Sequence, residues 1–154
     1  MSEWKRTTKE LTLETLPVEI ATAIHRHVEK HNLGPILDDA LMWIQTDSQK
    51  MNKGLFGGTQ AVQMAAVITP RWLVWSVDES KTDPVVLSAQ LIDVTVQDYA
   101  QTPFAEMVPD SGIQVNGLFT GAAESASAFI GLEQEAAGDK FKKIVIQAAA
   151  DAKK

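Results

Sequence analysis

A β-hairpin in the middle of the chain constrains the fold most. Residues 61–69 and 72–77 are rich in β-branched and aromatic side chains, and such side chains favour strands. Pro70 lies between the two runs, at a position where a type I turn accepts proline. Antiparallel strands with one apolar face must hide that face, so the hairpin predicts a fold in which other elements cover it.

Two longer segments on either side of the hairpin also have strand character. Residues 40–46 are compact and apolar, and the polar residues 47–58, with their three glycines, predict a long mobile loop. In residues 85–99 apolar and polar side chains alternate over much of the run. Such alternation predicts one long strand with one face in a core and the other in water.

Two short strands are predicted to end the β-rich part, at residues 113–120 and 126–132. Asn116 and Gly117 form a dipeptide typical of tight hairpin turns, but the arms beside it are too short for a convincing hairpin. We therefore expect a continuous strand there, with Gly117 at a bulge or a crowded contact.

Two segments have helical periodicity. In residues 16–33 apolar side chains recur at fourfold spacing until Gly34 and Pro35 end the pattern. In residues 134–152 apolar side chains fall on one stripe, opposite charged ones. The sequence therefore predicts an N-terminal and a C-terminal amphipathic helix. Their apolar stripes are Leu16, Ile20, Ile24 and Val28 in the first, and Ala137, Phe141, Ile144, Val145, Ala148 and Ala152 in the second.

The first 15 residues give the domain its expected N-terminal boundary. Residues 1–15 are polar and rich in threonine, and we predict a flexible arm. They contain no apolar segment typical of a secretory signal, so a cytoplasmic location is expected.

Residues 61–77 are the most apolar stretch but include proline and arginine, and they are too short for a membrane span of about 20 apolar residues. We expect one domain, with the helix of residues 16–33 preceding a body of residues 34–154.

Composition excludes several classes of site. The chain has 14 Lys and Arg against 20 Asp and Glu, a net charge of −6, which disfavours nucleic acid as a ligand. Because the 154 residues include no cysteine, disulfides, thiolate nucleophiles, iron–sulfur clusters and Cys-ligated zinc are excluded. Apolar residues make up 45% and charged residues 22%, which is ordinary for a globular protein and excludes a disordered or fibrous one.

The order of elements after Gly34 is strands first and then one amphipathic helix, and residues 67–75 read Val-Ile-Thr-Pro-Arg-Trp-Leu-Val-Trp. Together they resemble bacterial pleckstrin-homology-like (PH-like) and GRAM-like domains over residues 36–152. The resemblance implies an α+β, mainly β fold: a bent antiparallel β-barrel capped by the C-terminal helix. The extra N-terminal helix and Pro70 in the turn depart from the plain family pattern.

The same resemblance implies a non-catalytic adaptor or binding domain. PH-like folds serve lipids, peptides and self-association alike, so the fold does not identify the ligand. The sequence contains no Gly-x-Ser-x-Gly elbow and no His-Glu-x-x-His motif. We expect no enzymatic activity and no cofactor, and either an unidentified protein partner or a second copy of the chain, which would make the protein a homo-oligomer.

The predicted loop of residues 47–58 is a first candidate site. In a PH-like barrel it resembles the loop that meets phosphoinositide headgroups, with Lys50 and Lys53 on phosphates and Leu55 and Phe56 in the interface. The alternative is a flexible hairpin loop whose Phe56 folds back onto the barrel. Two lysines contribute only about 2 kcal/mol near an anionic surface, so an anionic-lipid sensor is the second functional hypothesis.

Two histidines of the N-terminal helix are a second candidate. His27 and His31 lie four residues apart and share a helix face, as two ligands of one metal ion would. They also lie near the apolar stripe, where packed or hydrogen-bonded histidines are more common. We therefore assign no metal site.

Two tryptophans of the hairpin are a third candidate. Trp72 and Trp75 lie three apart on a strand and point to opposite faces. One of them should enter the core, and the other should form an interface or be covered by the N-terminal helix. We expect the stripe of Leu16, Ile20 and Ile24 to provide that cover, within the chain or from a neighbouring copy.

Overall fold

The computed structural model describes residues 4–51, 59–78 and 84–154. These residues form an α+β fold, mostly β, with two antiparallel sheets and two helices. The larger sheet has five strands that pair in chain order. They are β1 (Trp4–Leu11), β2 (Met42–Met51), β3 (Thr59–Ile68), β4 (Trp72–Asp78) and β5 (Val85–Gln90).

The predicted hairpin is confirmed as β3 and β4, which pair antiparallel with Ile68 opposite Leu73. The strand predicted at residues 40–46 is longer than expected, because β2 continues through residues predicted as loop and pairs with β3 up to Met51. Residues 52–58, the rest of that loop, lie outside the described residues.

The smaller sheet has three strands: β6 (Val94–Asp98), β7 (Gly112–Gly117) and β8 (Ala126–Gly131). The predicted single strand over residues 85–99 is therefore wrong. A 3-10 turn at Leu91–Asp93 interrupts it and carries the chain from one sheet to the other. The turn buries Leu91 and leaves Ile92 exposed, since the strand alternation is broken there.

Helix α1 (Val18–Lys30) covers the outer face of the five-stranded sheet. The predicted stripe is confirmed for three of its four residues: Leu16, Ile20 and Ile24 are buried in one cluster with Trp43 and Val74, whereas Val28 is only partly buried. The stripe thus covers the outer face of the sheet from within the same chain, but Trp72, the outer tryptophan that it was expected to cover, is not part of this cluster.

Helix α2 (Ala136–Ala152) completes the main core, which contains side chains from both sheets. Phe141 and Val145 are fully buried there, as the amphipathic pattern predicts. No ladder among the described residues joins the two sheets, so the closed barrel of the prediction is not formed.

The described part of the predicted flexible arm, residues 4–15, is not an arm, because Trp4–Leu11 form β1 and pair with β2 along their whole length. The inward positions of β1 include Arg6 and Thr8, which are polar. Thr8 hydrogen-bonds Thr46 at 2.8 Å and the backbone N–H of Glu133 at 2.9 Å. These partners satisfy the polar side chain, so Thr8 is buried although the strand has no apolar pattern.

Gly117 is the last residue of β7, so the strand expected to continue to residue 120 ends there. Of the two places expected for this glycine, a bulge or a crowded contact, the structure shows the crowded contact. Its φ is +147°, and an added Cβ would overlap the carbonyl oxygen of Asp93. Glycine is therefore required where β7 meets the start of β6.

Candidate functional site

The turn between β3 and β4 forms one wall of a surface groove. The Thr69 side-chain oxygen accepts hydrogen bonds from the backbone N–H of Arg71 at 3.2 Å and of Trp72 at 2.9 Å. The Thr69 N–H donates to the Trp72 carbonyl at 2.9 Å. Because the turn satisfies these backbone groups internally, it is held in one conformation with Pro70 and Arg71 exposed.

Helix α2 forms the other wall. The exposed side chains of α2 on the side of this turn form a stripe of Lys143, Gln147 and Asp151. The space between this stripe and the turn has a volume of about 540 Å³. Apolar groups contribute much of its lining: Leu41, Pro70, Ile144 and Ala148. We call this space the α2 groove.

A second depression of about 520 Å³ continues the α2 groove and shares Pro70 and Asp151 with it. Its lining includes Arg71 and the exposed Ile92. Leu41 is 50% exposed and Ile92 61% exposed. The fold therefore leaves apolar side chains at this surface, as binding surfaces do.

Charges of both signs border the α2 groove. Lys143 pairs with Asp139 at 2.8 Å, and this hydrogen bond lowers the pKa of Asp139. Asp151 accepts a hydrogen bond from Gln147 at 2.9 Å and pairs with Lys154 at 3.2 Å. The Gln147 hydrogen bond, followed by that from Lys154, lowers the pKa of Asp151. Both carboxylates are thus ionised at neutral pH.

His27 is a packed and hydrogen-bonded histidine. Its Nε2 lies 2.7 Å from the Ser88 hydroxyl, which donates to the Thr120 hydroxyl at 2.7 Å. The His31 ring stands beside it, with the ring centroids 4.6 Å apart. Residues 4–51, 59–78 and 84–154 hold no group of three or more His, Asp or Glu side chains that could bind a metal ion.

Burial is the main cause that lowers the pKa of His27, followed by the charges of His31 and Lys30. A neutral histidine bonded to a serine is an arrangement that can activate a nucleophile. Ser88, however, is 1% exposed. A substrate does not reach its oxygen while α1 is in place, so the contact fastens α1 to β5.

Lys50, of the predicted lipid-binding loop, is the last residue but one of β2, and its Nζ lies 5.9 Å from the centre of the Trp4 ring. Lys53, Leu55 and Phe56 lie outside the described residues. The Arg6 guanidinium also stands over the Trp4 ring, at 5.0 Å. Lys50 is therefore held beside an aromatic side chain at this end of the sheet.

The two tryptophans of the hairpin lie on opposite faces of β4, as expected. Trp75 is 1% exposed and packs edge-on against Phe119, with the ring centroids 5.3 Å apart. Trp75, one of the two interface candidates, is therefore the tryptophan that enters the core, and Trp72 remains the interface candidate. Trp72 points to the opposite face and is partly exposed.

Sequence reasoning did not find the α2 groove. The amphipathic pattern placed Lys143 and Asp151 on the outer face of α2, and their spacing was the available signal. The opposite wall comes from Leu41 and Pro70, which lie far from α2 in the sequence. No local pattern indicates that these two walls meet.

Comparison with known proteins finds no matching family model, no matching curated protein and no matching solved structure. None of the helices in the described part of the chain is long and apolar enough to cross a membrane.

Proposed function

We propose that the protein is a non-catalytic PH-like adaptor domain of the cytoplasm that binds a protein, either a partner or its own copies, through the α2 groove. The observation that carries this proposal is the groove itself. Its apolar lining and its border of charges are the two components of a protein-binding surface.

The PH-like assignment is supported by the order of the elements. Strands β2 to β5 form a four-stranded meander, β6 to β8 form a three-stranded one, and α2 follows both and closes the core. This is the strand and helix order that the resemblance implies for residues 36–152. Strand β1 and helix α1 are additions to it.

The absence of cysteine from the chain allows a direct test. A photo-crosslinker is attached to Gln147→Cys, within the α2 groove, and to His25→Cys as a control on the exposed face of α1. We expect a defined crosslinked product, formed with another protein or with a second copy of the chain, from position 147 and not from position 25. Adding Leu41→Asp should abolish the crosslink, because it places a charge in the apolar lining.

Equal crosslinking from positions 147 and 25, or a product that survives Leu41→Asp, would refute the assignment of the α2 groove. The unfolding midpoint of each labelled variant serves as the control for folding. Leu41 is 50% exposed, so its replacement should leave that midpoint close to wild type.

The lipid-sensor hypothesis has one observation in its favour. The segment between β6 and β7 exposes Phe104, Met107 and Val108, and the next residues include Asp110, which binds Arg6 near Lys50. Flotation with neutral and anionic liposomes tests it. Anionic vesicles that lift wild type, but not a Lys50→Glu, Lys53→Glu and Phe56→Ser triple variant, would favour a lipid surface over a protein partner.

A further inference from the structure

The exposed stripe of α2 has a charge pattern that is complementary to itself. Lys143, Gln147 and Asp151 follow at intervals of four residues, so they lie one above another on one helix face. The stripe is positive at its N-terminal end, neutral in the middle and negative at its C-terminal end. When two such stripes lie side by side in opposite directions, each charged end therefore faces an end of the opposite charge.

A second copy of α2 that lies antiparallel across the stripe uses this pattern fully. With Gln147 of one copy opposite Gln147 of the other, each Lys143 faces the Asp151 of the other copy. This is an isologous contact about a two-fold axis, the commonest symmetry of protein dimers. A parallel arrangement would instead place Lys143 against Lys143 and Asp151 against Asp151, which is repulsive.

The charges of the stripe already have partners in the same chain, within α2 or just after it, but these pairs are exposed. Lys143 bonds Asp139 with its side chain 75% exposed, and Asp151 pairs with Lys154 with its side chain 53% exposed. Exposed pairs of this kind contribute little to stability. Lys143 and Asp151 can therefore turn to a second copy at little cost.

The apolar part of the α2 groove adjoins the same stripe. Leu41, Pro70, Ile144 and Ala148 lie beside Lys143, Gln147 and Asp151 along one surface. A helix that docks on the stripe covers these side chains, and by symmetry its own groove is covered in return. Apolar burial then drives the association, and the charges set the direction of the helices.

We propose that the protein forms a two-fold dimer in which the α2 helices pack antiparallel about Gln147, with Lys143 of each copy paired to Asp151 of the other. This inference rests on the proposed function, which assigns the α2 groove to protein binding, and it names the partner as a second copy.

The pairing predicts a charge-swap pattern in the oligomeric state. Lys143→Glu alone places two acidic residues together at both ends of the interface, and Asp151→Lys alone places two lysines together. We expect each single variant to raise the dimer dissociation constant about tenfold or more. A mixture of the two variants restores both ion pairs, so it should form a one-to-one heterodimer. The double variant should again form a homodimer.

Sedimentation equilibrium over a range of concentrations measures these masses. Lys9→Glu, which makes the same charge change on the exposed face of β1, is the matched control and should dimerise like wild type. The unfolding midpoint checks that each variant is folded. It should change little, since both substituted positions are exposed.

Three outcomes would overturn the proposal. Wild type could remain monomeric at every concentration, the single variants could dimerise as wild type does, or the mixed single variants could stay monomeric. A crosslink from position 147 to a different protein, together with a monomeric wild type, would refute the dimer and leave the proposed function standing. No crosslink from position 147 at all would refute both.

Discussion

Replacing Asp110 with asparagine removes the negative charge that faces Arg6. The Arg6 guanidinium donates to both oxygens of Asp110, at 2.8 and 2.6 Å, and to the Ser48 hydroxyl at 2.6 Å. Each charged side chain of the pair is only 10% exposed. Removing one partner of a buried ion pair leaves the other charge uncompensated, which costs about 3–5 kcal/mol.

That loss is large against the total stability of a domain, about 5–15 kcal/mol. Because the pair joins β1 to the segment before β7, Asp110→Asn should lower the free energy of unfolding of the whole domain. Urea unfolding followed by tryptophan fluorescence measures it, since Trp43 and Trp75 are buried and report on both cores.

A double-mutant cycle separates the ion pair from other effects. Arg6→Met keeps an apolar stem beside the Trp4 and Phe129 rings, and combining it with Asp110→Asn removes both charges. We expect the double variant to be clearly more stable than the sum of the two single losses implies, by about 0.5–3 kcal/mol. A loss below about 1 kcal/mol for Asp110→Asn, as for an exposed pair, would refute the reasoning.

Three further perturbations test other parts of the fold. The lowered pKa of His27 means that the folded state resists protonation, so stability is full above the unfolded pKa of 6.5 and falls as the pH drops through 6.5 towards the folded value. Urea midpoints at pH 7.5 and 5 should therefore differ less in His27→Gln than in wild type, and an equal difference would contradict the assignment. Gly117→Ala should lower the thermal midpoint, with a cost of about 1–3 kcal/mol, because its positive φ and the Asp93 carbonyl exclude a Cβ; an unchanged midpoint would argue against the crowded contact. Ile24→Ala should cost about 2–5 kcal/mol in urea unfolding, whereas Val18→Ala, at an exposed position of the same helix, should cost under about 0.5. Similar losses in both variants would mean that α1 does not pack as described.

The elements that could be predicted from the sequence are those whose buried side chains recur at the regular spacing of a strand or a helix. The hairpin of β3 and β4 and both helices have dense apolar patterns, and each has a buried face where the pattern places it. Strand β1 could not be found in this way. Its inward residues Arg6 and Thr8 are polar, and their partners Asp110 and Glu133 lie more than 100 residues away.

The interruption at Leu91–Asp93 was missed for the opposite reason. Apolar and polar residues keep alternating through the 3-10 turn, as they would in one strand. The spacing of apolar residues therefore does not show that the chain passes from one sheet to the other there. The α2 groove depends on tertiary structure in the same way. The stripe of Lys143, Gln147 and Asp151 becomes one wall of a groove only because the fold brings the turn at Pro70 beside it.

The self-association of α2 is tested most directly by a distance between two copies. A spin label on Lys140→Cys is unique in this chain without cysteine, and position 140 lies seven residues before Gln147. In the antiparallel dimer the two labels lie about 21 Å apart along the helix direction, at 1.5 Å per residue. Dipolar spectroscopy of the dimer should therefore give one distance of about 20–30 Å. No dipolar signal, or a distance above about 40 Å, which exceeds the length of α2, would contradict the proposed dimer.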